Sequence, residues 1–318
     1  MSENCWFQRG SGLFFTRPEP LKAARVKLFT APPLSQFAKP GKPAQKTEAP
    51  RMTGLLPETP SQTRILQMQR LAQGGRWRAE AMRALSEPCL LWFTRGQGRI
   101  TIGGVTRGYG PHNAIFIPPG VMHGFEIGPQ THGWVLYFGR NSDVTLPHAV
   151  EHLRIREAHT QNELSSEIEA VQREMASDRP GSDRAARHHL GLIGVWLERQ
   201  IGAPTHERQA STAARRLVAR YSALLERDFR SGHGVADFAR ELGVTPTHLT
   251  RVCRQSCGRG ASELLQDRRL YEARRLLSET KAPVKTIAQS LGFSSAAYFA
   301  RSFHAKTGKT PSEFRRAP

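Results

Sequence analysis

Residues 235–244 read VADFARELGV, and residues 284–293 read VKTIAQSLGF. Both stretches carry apolar residues at positions i, i+3, i+4 and i+7, the spacing that places them on one face of a helix. A glycine follows each apolar set, and glycine is the residue that most often ends a helix. The pattern therefore predicts a short helix that is repeated 49 residues later.

A second helix is predicted after each copy. LTRVC at 249–253 matches FARSF at 299–303, now at an offset of 50 residues. Helix, glycine turn and helix make up the helix-turn-helix, whose second helix enters the major groove of DNA. One match would be weak, because many helical hairpins share this pattern. Two copies on an arginine-rich background indicate a DNA-binding region.

A longer helix is predicted between the two units, from about Ser262 to Glu279, with an apolar face that includes Leu265, Ala273 and Leu276. At about 1.5 Å per residue it spans about 25 Å. Once the widths of the two recognition helices are added, this length can hold them about one DNA turn of roughly 34 Å apart.

Residues 213–316 resemble the AraC/XylS family of bacterial transcription regulators. The motifs that carry the resemblance are AxxLG at 239–243, RLxxAxxLL at 269–277, IAxxLGF at 287–293, YFxRxF at 298–303 and GxTPSEFR at 308–315. One position departs from the family pattern, because Cys253 stands where a large apolar residue is usual. The resemblance implies two subdomains that read adjacent major grooves on one face of the DNA.

The resemblance also implies which side chains meet DNA. Base contacts fall to Thr247, Thr250 and Arg251 in the first recognition helix and to Ala296, Ala297, Tyr298 and Arg301 in the second; phosphate contacts fall to Arg254, Lys306 and Lys309. Arginine can bind guanine through two hydrogen bonds, whereas alanine only touches a thymine methyl group. We therefore expect Arg251 and Arg301 to do most of the sequence reading, and the arginines outside these helices to form a solvated basic face.

The cysteines have two interpretations. Cys253 and Cys257 are one helical turn apart and could sense an oxidant or bind a metal. No histidine or further cysteine nearby completes a zinc set, so a small buried side chain and a surface thiol are favoured. With only Cys5 and Cys89 besides, the chain lacks the disulfide framework of a secreted protein.

The net charge of the chain indicates which class of partner it binds. The formal net charge is +19 over 318 residues, and residues 211–318 hold +11 of it. Such a surplus indicates a polyanionic partner. A binder driven by charge alone is an alternative, which would show steep salt dependence without sequence selectivity. No apolar run approaches the length of about eighteen residues that spans a membrane, and the first thirty residues lack a signal-peptide core, so a cytosolic protein is favoured.

The middle third carries strand signals and a second resemblance. Strand candidates at 90–95, 99–104, 114–117 and 132–138 are separated by glycine and proline, which is typical of a small antiparallel sandwich or barrel. The Pro118-x-Gly120-x-x-His123 spacing is similar to the second motif of the cupin barrel, although His112 replaces the glycine expected six residues earlier. The His-x-His of the first cupin motif is missing, which disfavours the alternative of a metal-dependent cupin enzyme. No cofactor or metal is expected.

Four residues are candidates for an effector pocket in this barrel. His132 and Trp134 share one face of a strand, as do His123 and Phe125 if their strand continues. Imidazoles and aromatic rings around a small barrel suit a polar small molecule. The competing interpretation is that these side chains simply fill the barrel.

Two helices and a tail complete the organisation. Leu164, Ile168, Val171 and Met175 form one helical stripe, and Leu190, Ile193 and Leu197 form another. These stripes either pack on the barrel or pair with a second copy of the chain, and pairing is slightly preferred. The proline-rich first sixty residues predict a disordered basic tail; a transit peptide and a start at Met52 or Met68 are alternatives.

We therefore predict an α+β multidomain protein. Its segments are a tail at 1–60, a cupin-like antiparallel β-barrel for sensing at 61–160, a helical pair and linker at 161–210, and an all-α DNA-binding domain at 211–318 with helix-turn-helix units at about 232–255 and 281–305. The predicted function is sequence-specific transcription regulation controlled by a small-molecule effector. The expected partners are double-stranded DNA, the effector, a second copy in a homodimer, and RNA polymerase if the protein is an activator; no membrane partner is expected.

Overall fold

The computed structural model describes residues 62–73, 75–203 and 212–316. The predicted tail at 1–60 lies outside these ranges, as does most of the linker that precedes residue 211.

The first part of the described chain forms two antiparallel sheets. Its strands are β1 (Arg64–Gln67), β2 (Cys89–Arg95), β3 (Gly98–Ile102), β4 (Val105–Tyr109), β5 (Asn113–Ile117), β6 (His123–Phe125), β7 (His132–Tyr137) and β8 (Glu151–Arg154). One sheet has the order β1-β7-β2-β5-β8 and the other the order β4-β3-β6. Two short helices, α1 (Met68–Leu71) and α2 (Trp77–Glu80), lie between β1 and β2.

The central strand β2 shows why its sequence is a continuous apolar run. Leu91 and Phe93 pack towards the second sheet, in a cluster with Ile100 and Phe125. Leu90 and Trp92 point to the opposite face. Because alternate side chains of a strand face opposite ways, a strand covered on both sides must be apolar at nearly every position.

Helices α3 (Ala158–Met175) and α4 (Ser182–Gly202) cover the outer face of the five-stranded sheet. Leu164, Ile168 and Val171 of α3 are fully buried there together with residues of α4. The indole N–H of Trp92 donates to Ser165 Oγ across this contact at 3.1 Å. The predicted stripes therefore pack on the sheet of their own chain, apart from Met175, which is exposed. The preference for pairing through these stripes is corrected, because the sheet already covers them.

The remaining described residues are helical. The elements are α5 (Ala213–Asp228), α6 (Val235–Glu241), α7 (Pro246–Cys257), α8 (Ala261–Glu279), α9 (Val284–Ser290), α10 (Ala296–Thr307) and α11 (Pro311–Arg316). An antiparallel β region, two helices and an all-α region with two helix-turn-helix units confirm the predicted fold class. Across the described ranges, we find no helix that combines the length and apolarity of a membrane span.

A buried charge network holds α8 against α5. Arg268 is buried and bonds Glu226 at 2.6 Å and Glu272 at 3.1 Å. Glu272 also accepts bonds from Arg230 at 2.7 Å and Arg275 at 2.9 Å. The expectation that arginines outside the recognition helices are only solvated is therefore wrong for Arg268. Its cost of burial is offset by two carboxylates.

The β region and the helical region share part of a core. Met82 and Met122 are buried in the same apolar cluster as the helices of the C-terminal part. Trp77 of α2 also reaches that part, because its ring lies 5.7 Å from Tyr271 and 6.1 Å from Phe314 between centroids. These contacts join the predicted sensing and DNA-binding segments mechanically.

Candidate nucleic-acid interface

The turns of the two helix-turn-helix units have the same backbone hydrogen bond. The Val244 N–H donates to the Ala239 carbonyl at 3.0 Å, and the Phe293 N–H donates to the Ala288 carbonyl at 3.1 Å. Gly243 and Gly292 both have positive φ, at 70° and 73°. The 49-residue sequence repeat is therefore a repeat of the local structure.

The second helix of each unit begins in the same way. Thr245 Oγ1 accepts the His248 N–H at 3.1 Å at the start of α7, and Ser295 Oγ accepts the Tyr298 N–H at 3.1 Å at the start of α10. These caps satisfy backbone donors that have no partner within the helix. Both helices end at a glycine with positive φ, Gly258 and Gly308.

Helix α7 presents the predicted contact residues on one side. Thr247, Arg251 and Arg254 are exposed and Thr250 is half-buried, at spacings of three and four residues that place them on one face. Leu249, Val252 and Cys253 on the other face are buried in the core. The core thus orients α7 so that its polar face is open to a partner.

Helix α10 also presents predicted contact residues on its exposed side, but with a different set of side chains. Ala297 and Arg301 are exposed, and 49% of Tyr298 is exposed. Ala296 is half-buried and packs against the apolar core. Ala296 is therefore the least available of the predicted base contacts.

The two arginines predicted to read bases occupy equivalent positions, because Arg251 and Arg301 are 50 residues apart. Neither makes an ion pair with any residue in the described part of the chain, and Arg251 bonds only the His248 ring, at 3.1 Å. Exposed guanidinium groups with no acidic partner keep their donors available for an anionic or guanine-bearing partner.

The same offset pairs two further residues, which the sequence interpretation did not include, with predicted contact positions. His248 is equivalent to Tyr298, and His304 is equivalent to Arg254. His248 is half-buried beside Arg251, and His304 is exposed. Extending the 50-residue comparison beyond the arginines would have found both.

Arg269 fixes the first unit on the linking helix. Its Nε donates to the Phe229 carbonyl at 2.7 Å and its Nη2 to the His233 carbonyl at 3.1 Å. Burial lowers the pKa of this guanidinium, but two backbone acceptors satisfy it. The loop before α6 is therefore tied directly to α8.

Residues 238–317 match the helix-turn-helix domain family. The arabinose operon regulatory protein of Escherichia coli is 35% identical over 85 residues, which are 27% of this chain and 29% of that protein. This C-terminal segment is an AraC-type helix-turn-helix domain.

Other comparisons extend beyond the AraC-type domain. The HTH-type transcriptional regulator GlxA of Rhizobium meliloti is 32% identical over 148 residues, 45% of this chain and 44% of that protein. The chain spans less than half the length of these curated relatives. A crystal structure of apo ToxT from Vibrio cholerae covers 80% of this chain and 96% of its own, with 15% identity and a TM-score of 0.38.

The two cysteines of the AraC-type domain differ in exposure. Cys253 is fully buried, and burial raises its pKa to about 12. Cys257 is half-buried, and its thiol donates to the Cys253 carbonyl at 3.3 Å. No group of three or more potential metal ligands occurs among the residues that can be described.

The four predicted effector residues are not brought together in one cavity. Phe125 is buried between the sheets, with its ring centroid 5.9 Å from that of Phe93. Trp134 packs instead on the side of the sheet that faces α3 and α4. His132 precedes it on the same face and is exposed. His123 is buried, and its Nδ1 is 2.9 Å from the Val121 carbonyl.

His123 is held neutral by its surroundings. Burial, together with the nearby charge of Arg83, lowers its pKa to about 3. A neutral imidazole in a packed interior, bonded to backbone, is a core residue. This position favours the interpretation in which His123 and Phe125 fill the β region.

Proposed function

We propose that this protein is a sequence-specific, DNA-binding transcription regulator rather than an enzyme or a charge-driven binder. The observation that carries the proposal is the equivalence of Arg251 and Arg301. Each is exposed at the same position of a capped recognition helix, and each lacks an acidic partner among the described residues. Binding driven by charge alone would not require arginines at equivalent positions of two helix-turn-helix units.

The proposed contacts are of two kinds: some side chains read bases, and others position the protein on the DNA backbone. Arg251 and Arg301 read guanine through paired hydrogen bonds, with Thr247, Thr250 and Tyr298 beside them. Ala297 meets a thymine methyl group, and Ala296 supports the helix from its half-buried position. Arg254 bonds a phosphate and sets the register without specifying sequence.

The test is a selection from random double-stranded DNA followed by affinity measurement on the selected site. Arg251→Ala and Arg301→Ala should each weaken binding by about 1–3 kcal/mol and relax the preference at one base position. Arg173→Ala is the matched control, because Arg173 is exposed on α3 and its removal changes the net charge equally. Full affinity and an unchanged selected sequence in both recognition variants would refute the proposal.

A small-molecule effector is the second element of the proposal. The contacts of Trp77, Met82 and Met122 with the helical region give a ligand in the β region a route to the AraC-type domain. A ligand that binds one arrangement of these parts more tightly shifts the population towards it. Thermal unfolding with and without DNA, in the presence of candidate effectors, measures that shift.

A homodimer is the third element, and it requires a surface other than the buried stripes. On α4, Leu192 is 50% exposed and Val195 is 40% exposed, one turn apart on the face away from the sheet. Sedimentation velocity should show a dimer that Leu192→Glu converts to monomer. Arg187→Glu, an exposed change on the same helix, controls for added negative charge. A monomeric wild-type protein at all concentrations would exclude this element.

The proposed partner also implies where the protein acts. Promoter DNA as a target implies a cytoplasmic location, and activation would add RNA polymerase as a partner. Reporter transcription with and without the gene distinguishes activation from repression.

A further inference from the structure

A cavity of about 620 Å³ lies where β4, β8, the end of α4 and the first turn of α5 meet. Four arginines line it: Arg107 from β4, Arg154 and Arg156 at the end of β8, and Arg215 from α5. One acidic side chain, Glu157, is also at its wall. Four guanidinium groups against one carboxylate make the cavity strongly cationic.

Three of these arginines keep their guanidinium groups available for a ligand. Arg107, Arg154 and Arg156 form no ion pair with the residues that the structure describes. Arg107 is half-buried, and burial together with the nearby charge of Arg215 lowers its pKa. Like charges that approach in a partly desolvated space repel each other, and an anion between them would remove that repulsion.

A second cavity of about 580 Å³ continues along the same strand end. It shares Arg154, Ile155 and Arg156 with the first and adds the polar side chains of Gln97 and Gln161. The two cavities together present guanidinium and amide donors; the apolar Ile155 lines both of them, and Leu153 lines the first. Each volume is in the range of sites for metabolite-sized molecules.

We propose that this arginine cleft binds a small organic anion that carries carboxylate or phosphate groups, and that this anion is the effector. The inference rests on the proposed function and names the chemical class of its effector. Guanidinium groups bind both oxyanions through two parallel hydrogen bonds. The apolar wall suits the carbon skeleton of the ligand. The cleft would replace the predicted set of His123, Phe125, His132 and Trp134.

The position of the cleft explains how its ligand acts. Arg107, Arg154 and Arg156 belong to the β region, whereas Arg215 belongs to the helix that precedes the first helix-turn-helix unit. An anion bonded to both groups favours the arrangement in which they are close. Loss of the anion restores the repulsion between Arg107 and Arg215 and releases that constraint.

The test is calorimetric titration of the full-length protein with citrate and, separately, with inorganic phosphate, at constant ionic strength. We expect saturable binding of at least one probe, weakened at least tenfold in Arg107→Gln and in Arg156→Gln. Arg95→Gln, an exposed change on β2, should bind like the wild type. Binding of citrate alone assigns a carboxylate ligand, and binding of phosphate alone assigns a phosphorylated one.

The proposal is overturned if neither probe shows saturable binding, or if both cleft variants bind like the wild type. DNA selection with the same proteins separates this outcome from failure of the proposed function. Anion binding without DNA selectivity would preserve the site and refute the regulator. A protein that binds neither probe, and whose cleft variants lose DNA affinity, would assign these arginines to DNA phosphates and refute the effector site.

Discussion

The indole ring of Trp77 meets the ring of Tyr271 edge to face, with centroids 5.7 Å apart. Arg274 completes the contact, with its guanidinium carbon 5.5 Å from the Trp77 centroid. Trp77 lies in the β region, and Tyr271 lies on α8, the helix that links the two helix-turn-helix units. This contact therefore joins the β region to the helix that lies between the two helix-turn-helix units.

A double-mutant cycle measures this connection. Trp77→Ala and Tyr271→Ala should show a coupling energy of about 0.5–1.5 kcal/mol in chemical unfolding, the range for paired aromatic rings. Trp134→Ala combined with Tyr271→Ala is the control, because Trp134 packs on the opposite side of the β region, and its effect should be additive. Additivity in both cycles would show that the Trp77 contact carries no energy.

Arg254 and Arg301 should differ in the kind of DNA affinity they supply. Arg254→Gln should weaken binding to all sequences similarly and reduce the slope of log affinity against log salt by about 1, because one phosphate contact is lost. Arg301→Gln should lower the affinity for the selected site more than for unrelated DNA. Fluorescence anisotropy across a salt series gives both quantities, and equal selectivity losses in the two variants would contradict the assignment.

The turn glycines provide a matched pair of substitutions. Gly243 and Gly292 have nearly the same φ, but a Cβ at Gly243 meets nothing within 4 Å, whereas one at Gly292 would lie 2.4 Å from the Gly232 backbone nitrogen. Gly243→Ala should cost about 1 kcal/mol from its left-handed backbone alone. Gly292→Ala should cost clearly more in thermal unfolding, because the backbone before α6 must also move. Equal costs would mean that the two units do not touch at this point.

Glu272 should make the free energy of unfolding depend on pH in the acidic range. Burial alone would raise its pKa, but Arg268, Arg275 and Arg230 outweigh that effect and lower it to about 2. The pKa of this carboxyl is lower in the folded state than its value of 4.5 in the unfolded state. The carboxylate therefore stabilises the folded protein fully above pH 4.5, and this contribution is lost as the pH falls towards 2. Glu272→Gln should therefore cost about 3 kcal/mol at pH 7, since Arg230 and Arg275 lose their carboxylate and the buried Arg268 keeps only Glu226. The difference from wild type should shrink in acid.

The measurement is urea unfolding at a series of pH values. Glu169→Gln serves as the control, because Glu169 is exposed on α3. A difference between wild type and Glu272→Gln that stays constant from neutral pH into acid would show that this carboxylate is not the titrating group.

The helix-turn-helix half is predictable from the sequence because its signals are local. The apolar spacing in 235–244 and 284–293, the glycines after them and the arginines at 251 and 301 all lie within a few residues of the structure they specify. The burial of Cys253 is predictable in the same way, because this residue continues the apolar face of α7. The periodicity of a helix and its capping residues can be predicted because they depend on residues that are close together in the sequence.

What the sequence by itself determined is therefore the pair of helix-turn-helix units and the antiparallel character of the β region. Tertiary structure alone decided which surface covers α3 and α4, since an apolar stripe does not say what it packs against. It also decided the burial of Arg268 between Glu226 and Glu272, and the separation of Trp134 from Phe125 onto opposite faces of the sheet. The arginine cleft belongs to this second group. Arg107 and Arg215 are more than a hundred residues apart in the chain, and only folding brings their charges together.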